Sequence, residues 1–254
     1  MFDKNLYYDC LDTRYLGRHL YYFREIDSTN TFAIKNELEV GSIVISDVQV
    51  KGKGRSNRVW RSQSNQNLYF SCLVDGFTPE KLLQLNIVIG YSVCNVLRKY
   101  ISCCLKWPND IIAEKRKLGG ILIETKFSGN KIEKVVFGVG LNVNTDNFEK
   151  DISDIAVSIK NILGRDMCRE ALLAELVNEL EKGIDSLKIG DYNIDRLWGN
   201  YSCFLGRDIS VTLDNVKKIF IEKGIDRLGG LIVEDNSGMI KTLYSGDVGY
   251  DFCS

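Results

Sequence analysis

Two hydrophobic rhythms alternate along the chain, and each change of rhythm marks an element. Residues 20–23 are a short apolar run that reads as a strand. Residues 42–50 (SIVISDVQV) and 67–74 (NLYFSCLV) are rich in β-branched and aromatic residues and read as two more. Between the first two, Asp27, Ser28 and Thr29 are N-cap types ahead of a helical pattern over 31–38. Residues 79–100 open on a T-P-E step and are apolar nearly all round, which predicts a buried helix. Strand-like segments follow over 105–107, 111–113, 120–126 and 134–144, with Ser128-Gly129-Asn130 as a hairpin tip. Leu172, Leu173, Leu176, Val177 and Leu180 recur at helical spacing and predict a helix over 169–187. The first twenty residues predict no clear element.

After residue 204 the texture changes. Short β segments at 209–213, 217–222, 231–233 and 240–244 alternate with Gly turns. The expected architecture is α+β. A mixed, mostly antiparallel sheet with packed helices occupies residues 1–200, and a small barrel-like β module occupies 201–254.

Composition narrows the chemistry. Lys plus Arg number 33 and Asp plus Glu 34, a net charge of −1 over 254 residues. This balance argues against a protein that coats nucleic acid, although it leaves room for a local basic site. No apolar run approaches the ~18 residues of a membrane span, and the N-terminus lacks the apolar core of a signal peptide. The expectation is a cytoplasmic protein. Its eight Cys are irregularly spaced, form no C-x-x-C pair and fall partly inside apolar runs. They read as reduced thiols rather than a disulfide framework. His19 is the single histidine. Its count excludes a His₃ or Cys₂His₂ zinc site, and any Ser-His-Asp or Cys-His catalysis would hang on it alone. A surface or packing role is the better reading. Chemistry here is expected to use cations and backbone amides, with no metal-ligating residues assigned.

Five clusters qualify. Residues 51–61 carry five cations around Gly52 and Gly54, beside Trp60. Gly lets backbone N–H groups converge on an anion, and Lys or Arg neutralises it. The plain alternative is a solvated basic loop; the spacing is neither a P-loop nor a dinucleotide fingerprint. Lys106-Trp107-Pro108-Asn109-Asp110 is turn chemistry, yet an inward ammonium next to a strand needs an anion. Lys117-Leu118-Gly119-Gly120 enters a strand through two glycines, which marks either a bulge or a close approach. Gly138-Val139-Gly140-Leu141-Asn142 puts small residues ahead of an amide. Ser28-Thr29-Asn30 caps a helix, and a helix start also receives polar ligands.

In this order and spacing, the motifs resemble those of the biotin–protein ligases. The resemblance rests on DSTN at 27–30, Gln49, GKGRSNRVW at 52–60, NLYFS at 67–71, KWPND at 106–110, KLGGILIE at 117–124 and GVGLNVN at 138–144. It covers about residues 20–250 and implies a class II synthetase-like catalytic domain with a C-terminal SH3-like barrel. It also implies a two-step reaction. Biotin and ATP give biotinyl-5′-AMP and pyrophosphate, with Mg²⁺ accompanying ATP. A lysine of a biotin carboxyl carrier domain then accepts the biotin.

On the same resemblance, Ser28, Thr29 and Gln49, with Asn30 beside them, would hold the ureido ring. Gly120, Gly138 and Gly140 would make room for the bicycle. Lys53 and Arg55 would close over the ligand on the Gly52 and Gly54 backbone. Arg58 would lie near phosphate, and Trp60 and Asn142 near adenine. Lys117 would hold the biotin carboxylate and bridging phosphate. Lys106 and Asn109 would support phosphate, and Asp110 would orient the incoming amine. Lys53 and Asn57 stand where the family's commonest loop has Arg and Gly; Asn57 is expected to tolerate a left-handed backbone. About 26 residues precede DSTN, too few for the winged helix of the repressor members, so no DNA binding is expected. A homodimer through sheet edges is in keeping with the family. Lipoate–protein ligases run the same adenylation and are the nearest alternative; a non-catalytic biotin sensor is another.

Overall fold

A computed structural model of the chain describes residues 1–62, 66–213 and 216–249. Seven strands form the larger sheet: β1 (Leu20–Ile26), β2 (Ile43–Gln49), β3 (Leu68–Val74), β4 (Cys104–Lys106), β5 (Asp110–Ala113), β6 (Arg116–Ser128) and β7 (Lys131–Leu141). Their order is β1-β2-β3-β7-β6-β5-β4. Only β1 and β2 run parallel, joined through helix α2 (Thr29–Lys35); the other neighbours are antiparallel. The mostly antiparallel α+β expectation therefore holds. The predicted hairpin tip lies where β6 turns into β7, with Gly129 at φ +58°.

The sheet is covered on both faces, which explains why β2 and β3 read as nearly continuous apolar runs. On one face α2 packs Ala33 against Val44, Leu73 and Val136. On the other lie α3 (Leu82–Leu97), preceded by a 3₁₀ turn at Pro79–Lys81, and α5 (Arg169–Ile189). Three short helices escape the pattern reading: α1 (Lys4–Cys10), α4 (Ile159–Leu163) and α6 (Ile194–Tyr201). Each spans at most eight residues, too few turns for a period to show. Caps define them instead, through Asp3, Ser158 and Asn193.

The C-terminal strands β8 (Asp208–Leu213), β9 (Val216–Ile225), β10 (Leu231–Glu234), β11 (Ile240–Leu243) and β12 (Asp247–Gly249) form an antiparallel sheet in the order β11-β10-β9-β8-β12. Among the described residues β11 and β12 do not pair with each other, so this sheet is open. Its inner residues Ile209, Val211, Phe220, Leu231 and Val233 belong to the same apolar core as the larger sheet. Trp107, nearly fully buried, donates its indole N–H to Gly229 O (3.0 Å) and ties the two sheets together.

One expectation about the thiols is corrected. Cys104 and Cys203 form a disulfide, with Cα atoms 5.2 Å apart. Cys203 N–H donates to Leu105 O, and this long-range pairing sets the two residues side by side. The spacing of 99 residues gives no local hint of it. Cys10, Cys72, Cys94, Cys103 and Cys168 are free, and Cys253 lies outside the described residues. His19 is half-exposed and sits 2.8 Å from Glu39 Oε2, a surface position as expected. No helix among the described residues is long and apolar enough to cross a membrane.

Candidate functional site

A cleft of about 940 Å³ opens between the larger sheet, the basic loop and the C-terminal sheet. Ser28, Thr29, Asn30, Gln49, Lys53, Gly54, Arg55, Arg58, Trp60, Lys106, Asn109, Asp110, Lys117, Gly120, Gly138, Gly140 and Asn142 all line it. Gly52 alone among the proposed site residues does not. A Cβ there would lie 2.4 Å from Trp60 O, so this glycine lets the two arms of the loop approach each other.

One end of the cleft is a network of neutral polar groups. Ser28 caps α2 through Thr31 N–H (3.4 Å). This sets Thr29 and Asn30 in the first helical turn, facing the sheet. Thr29 N–H donates to Gln49 Oε1 (2.9 Å), and the Thr29 hydroxyl lies 3.1 Å from the same oxygen. The Ser71 hydroxyl bridges Thr29 Oγ1 (2.6 Å) and Asn30 Oδ1 (2.5 Å). Gln49 thus has its carbonyl committed and its NH₂ as the donor for another acceptor.

The opposite end is charged. Lys117 Nζ lies 2.6 Å from Asp110 Oδ1, and Lys106 Nζ lies 3.5 Å from Asp110 Oδ2. The strands explain the convergence. Lys106 and Asp110 are cross-strand partners on β4 and β5, and an extra residue on β6, Leu118, opposite the Ile111–Ile112 step of β5 sets Lys117 across from Ile112. Lys117 is pinned from outside the sheet as well. Its N–H donates to Ile155 O (2.7 Å), and its carbonyl accepts from Val157 N–H (3.0 Å).

The basic loop arches above these groups as a small hairpin. Lys53 pairs with Val59, and Gly54 N–H donates to Arg58 O (2.7 Å). The left-handed residue is Ser56 (φ +52°), a position the sequence reading did not single out; the Asn57 side chain lies outside the described residues. Arg55 Nη1 donates to Asn109 Oδ1 and Nη2 to Gly246 O, both at 3.3 Å, so one guanidinium touches both sheets. Arg61 pairs with Glu149 and Asp151, and its hydrogen bond holds the Asp151 carboxyl below the usual range.

The glycines leave room for side chains of the cleft itself. Gly120 and Gly140 face each other across β6 and β7, and the Trp60 ring lies over both. A Cβ on Gly140 would sit 2.4 Å from Trp60 Cε2. A Cβ on Gly138 would sit 2.3 Å from Asn30 Oδ1. In this structure the space above them is filled by an indole and an amide. Lys117 Nζ stands 5.4 Å from the Trp60 ring centroid, and the indole Nε1 is buried with no hydrogen-bond partner. Buried donors are rarely left so; an acceptor supplied by a ligand would satisfy it. Asn142 lines the cleft as well. Its NH₂ is directed at Val157 O (3.2 Å) and Lys117 O (3.5 Å), so it braces the Lys117 backbone.

The sequence reading missed two walls. Ile152, Asp154, Ile155 and Ala156 form one, brought in by the pairing of Lys117 with Ala156. Ser210, Thr212, Lys217 and Gly249 of the C-terminal sheet form the other. Neither carries a local motif, and only long-range pairing could have placed them.

The chain is also similar to known proteins. A family model described as "Biotin/lipoate A/B protein ligase family" matches residues 22–142. The chain is 31% identical to the bifunctional ligase/repressor BirA of Bacillus subtilis over 94% of its own length and 76% of that protein's. It is 30% identical to BirA of Escherichia coli over 88% and 71% of the respective lengths. A solved structure of a biotin protein ligase from Aquifex aeolicus in complex with biotin and ATP matches with a TM-score of 0.80 at 30% identity. That match covers 91% of this chain and 98% of that one.

Proposed function

The chain belongs to the biotin/lipoate A/B protein ligase family, and on that premise we propose that it is a biotin–protein ligase. The reaction has two steps. The biotin carboxylate attacks the α-phosphorus of ATP and pyrophosphate leaves, giving biotinyl-5′-AMP. A lysine amine of a biotin carboxyl carrier domain then attacks the acyl carbon, forming an amide and releasing AMP and a proton. The observation that carries the reading is the pair Lys106 and Lys117 meeting on Asp110 beneath a basic loop. The substrate carboxylate is itself the nucleophile, so no histidine is needed. The barrier is the approach of two anions, which fixed cations in a walled cleft lower.

The residues divide the work. Ser28, Thr29, Asn30 and Gln49 form the neutral end suited to a ureido ring. Lys117 takes the carboxylate and bridging phosphate, exchanging Asp110 for the incoming anion. Lys106 and Asn109 support phosphate, and Arg55 and Arg58 close from the loop. Trp60 offers a ring face and its unsatisfied N–H. Asp110, released by Lys117, orients the carrier amine. Mg²⁺ enters with ATP. No group of three or more His, Cys, Asp or Glu among the described residues is placed to hold an ion, so phosphates and water would carry it. We read residues 1–200 as the catalytic domain and 201–254 as an SH3-like domain, working in the cytoplasm. The open edge at β1 would serve a homodimer.

Lipoate is the competing acyl group, and the curated biotin ligases among the relatives favour biotin. An intact-mass assay decides. With MgATP and a carrier domain, the carrier should gain one biotin and gain nothing from lipoate. Modification by lipoate alone would overturn the assignment.

A further inference from the structure

The basic loop is tied to its surroundings at several points, and one tie has no part in the reaction proposed above. Glu124 stands on β6 four residues beyond Gly120, on the same face of the strand by alternation. Its Oε1 lies 3.1 Å from Lys53 Nζ. Its Oε2 is buried and has no hydrogen-bond partner. A carboxylate with a desolvated oxygen is costly unless a cation stays beside it. Lys53 supplies that cation only while the loop is down. The ammonium is fixed within a hairpin: Lys53 pairs with Val59, and Trp60 N–H donates to Gly52 O (2.9 Å). Holding Lys53 on Glu124 therefore also holds Arg55 at Asn109 and Trp60 over Gly140.

We propose that Glu124 is a positioning residue whose pairing with Lys53 latches the loop over the cleft and sets how long the acyl adenylate is retained. This rests on the ligase reading. Retention matters because an acyl adenylate that meets water is lost: water adds at the acyl carbon, the bond to AMP breaks, and biotin and AMP result. Glu124 does not touch the reacting atoms. It acts through Lys53 by keeping the cover closed until the carrier lysine arrives.

The test follows the adenylate. The protein is loaded with labelled biotin and MgATP and chased with unlabelled biotin, and release of label is timed. Glu124→Gln should release roughly two- to fivefold faster than wild type, the range of a partly exposed ion pair. Pyrophosphate formation at saturating substrates should change much less. Lys53→Met should give the same factor, and Lys53→Met combined with Glu124→Gln should add nothing further. Exchanging the charges, Lys53→Glu with Glu124→Lys, should restore slow release. If Glu124→Gln fails to fold, Lys53→Met and the exchanged pair carry the test. Unchanged release in the single variants, or effects that multiply in the double, would overturn the latch. A wild-type protein that forms no adenylate would instead overturn the ligase reading. The latch is then judged by tryptic cleavage at Arg55, Arg58 and Arg61 in the ligand-free protein, which both single variants should accelerate; equal cleavage overturns it.

Discussion

Replacing Lys117 by Ala removes one of the two ammoniums that meet on Asp110 and leaves the other 3.5 Å away. A unit charge about 4 Å from a reacting anion is worth about 4 kcal/mol at an effective dielectric of 20. The Lys117 side chain is 39% exposed, so solvent takes back part of that. About 3 kcal/mol remains, a loss on the order of a hundredfold in adenylation rate, similar to the loss of one oxyanion donor. The fold should survive. Lys117 is held by backbone bonds to Ile155 and Val157, which Ala keeps, and Asp110 retains Lys106 as a cation, so losing the partly exposed Lys117 pair should cost only about 1 kcal/mol of stability. The assay is pyrophosphate release with biotin and saturating MgATP, alongside a thermal melt. A Lys117→Ala protein that melts normally and turns over within about threefold of wild type would refute the role. Lost activity together with a collapsed melting temperature would show that the residue is structural instead.

Four further outcomes follow from the packing and the buried charges. Gly140→Ala places a methyl 2.4 Å from Trp60 Cε2 and should displace the indole by about an ångström. A KM for ATP raised roughly tenfold, with a shifted tryptophan emission, is expected; unchanged kinetics would mean the indole is not part of the site. Gly138→Ala meets Asn30 Oδ1 at 2.3 Å and should weaken biotin binding in calorimetry while sparing ATP; equal losses for both ligands would contradict the division of the cleft. Asp47→Ala removes the carboxylate 3.1 Å from the buried Arg169 guanidinium, which keeps a neutral partner in Asn67 O, and should cost about 3–5 kcal/mol by denaturant unfolding. Pairing it with Arg169→Met should recover most of that loss. Burial raises the Glu181 pKa, but backbone N–H donors at Arg14, Leu16 and Tyr15 outweigh it and hold the carboxyl below the usual range. Its contribution is therefore present above the unfolded value and is lost as pH falls through the lowered one. The melting-temperature gap between wild type and Glu181→Gln should close below about pH 4; a gap constant down to pH 3 would oppose this.

The sequence by itself determined the two long helices and every described strand except the short β12, because their periodicity and β-branched content are local properties. Nearly every site residue it picked out lines the cleft, because glycines, cations and caps at fixed spacing serve local needs: a tight hairpin at Gly52, a helix start at Ser28, a close approach at Gly140. What these residues touch was decided by pairing between distant segments. Only the register of β6 against β7 sets Gly120 opposite Gly140 and brings Trp60 down on both. Only the packing of the C-terminal sheet brings Gly246 O to Arg55 and Lys217 to the cleft wall. Only the pairing of Leu105 with Ser202 sets Cys104 beside Cys203. Glu124 closes the KLGGILIE segment, which gives no hint of Lys53. Its partner lies 71 residues away, and the ion pair exists because a loop and a strand face meet in the folded chain. Local chemistry is written in spacing along the chain, whereas the contacts that orient it depend on which surfaces the core brings together.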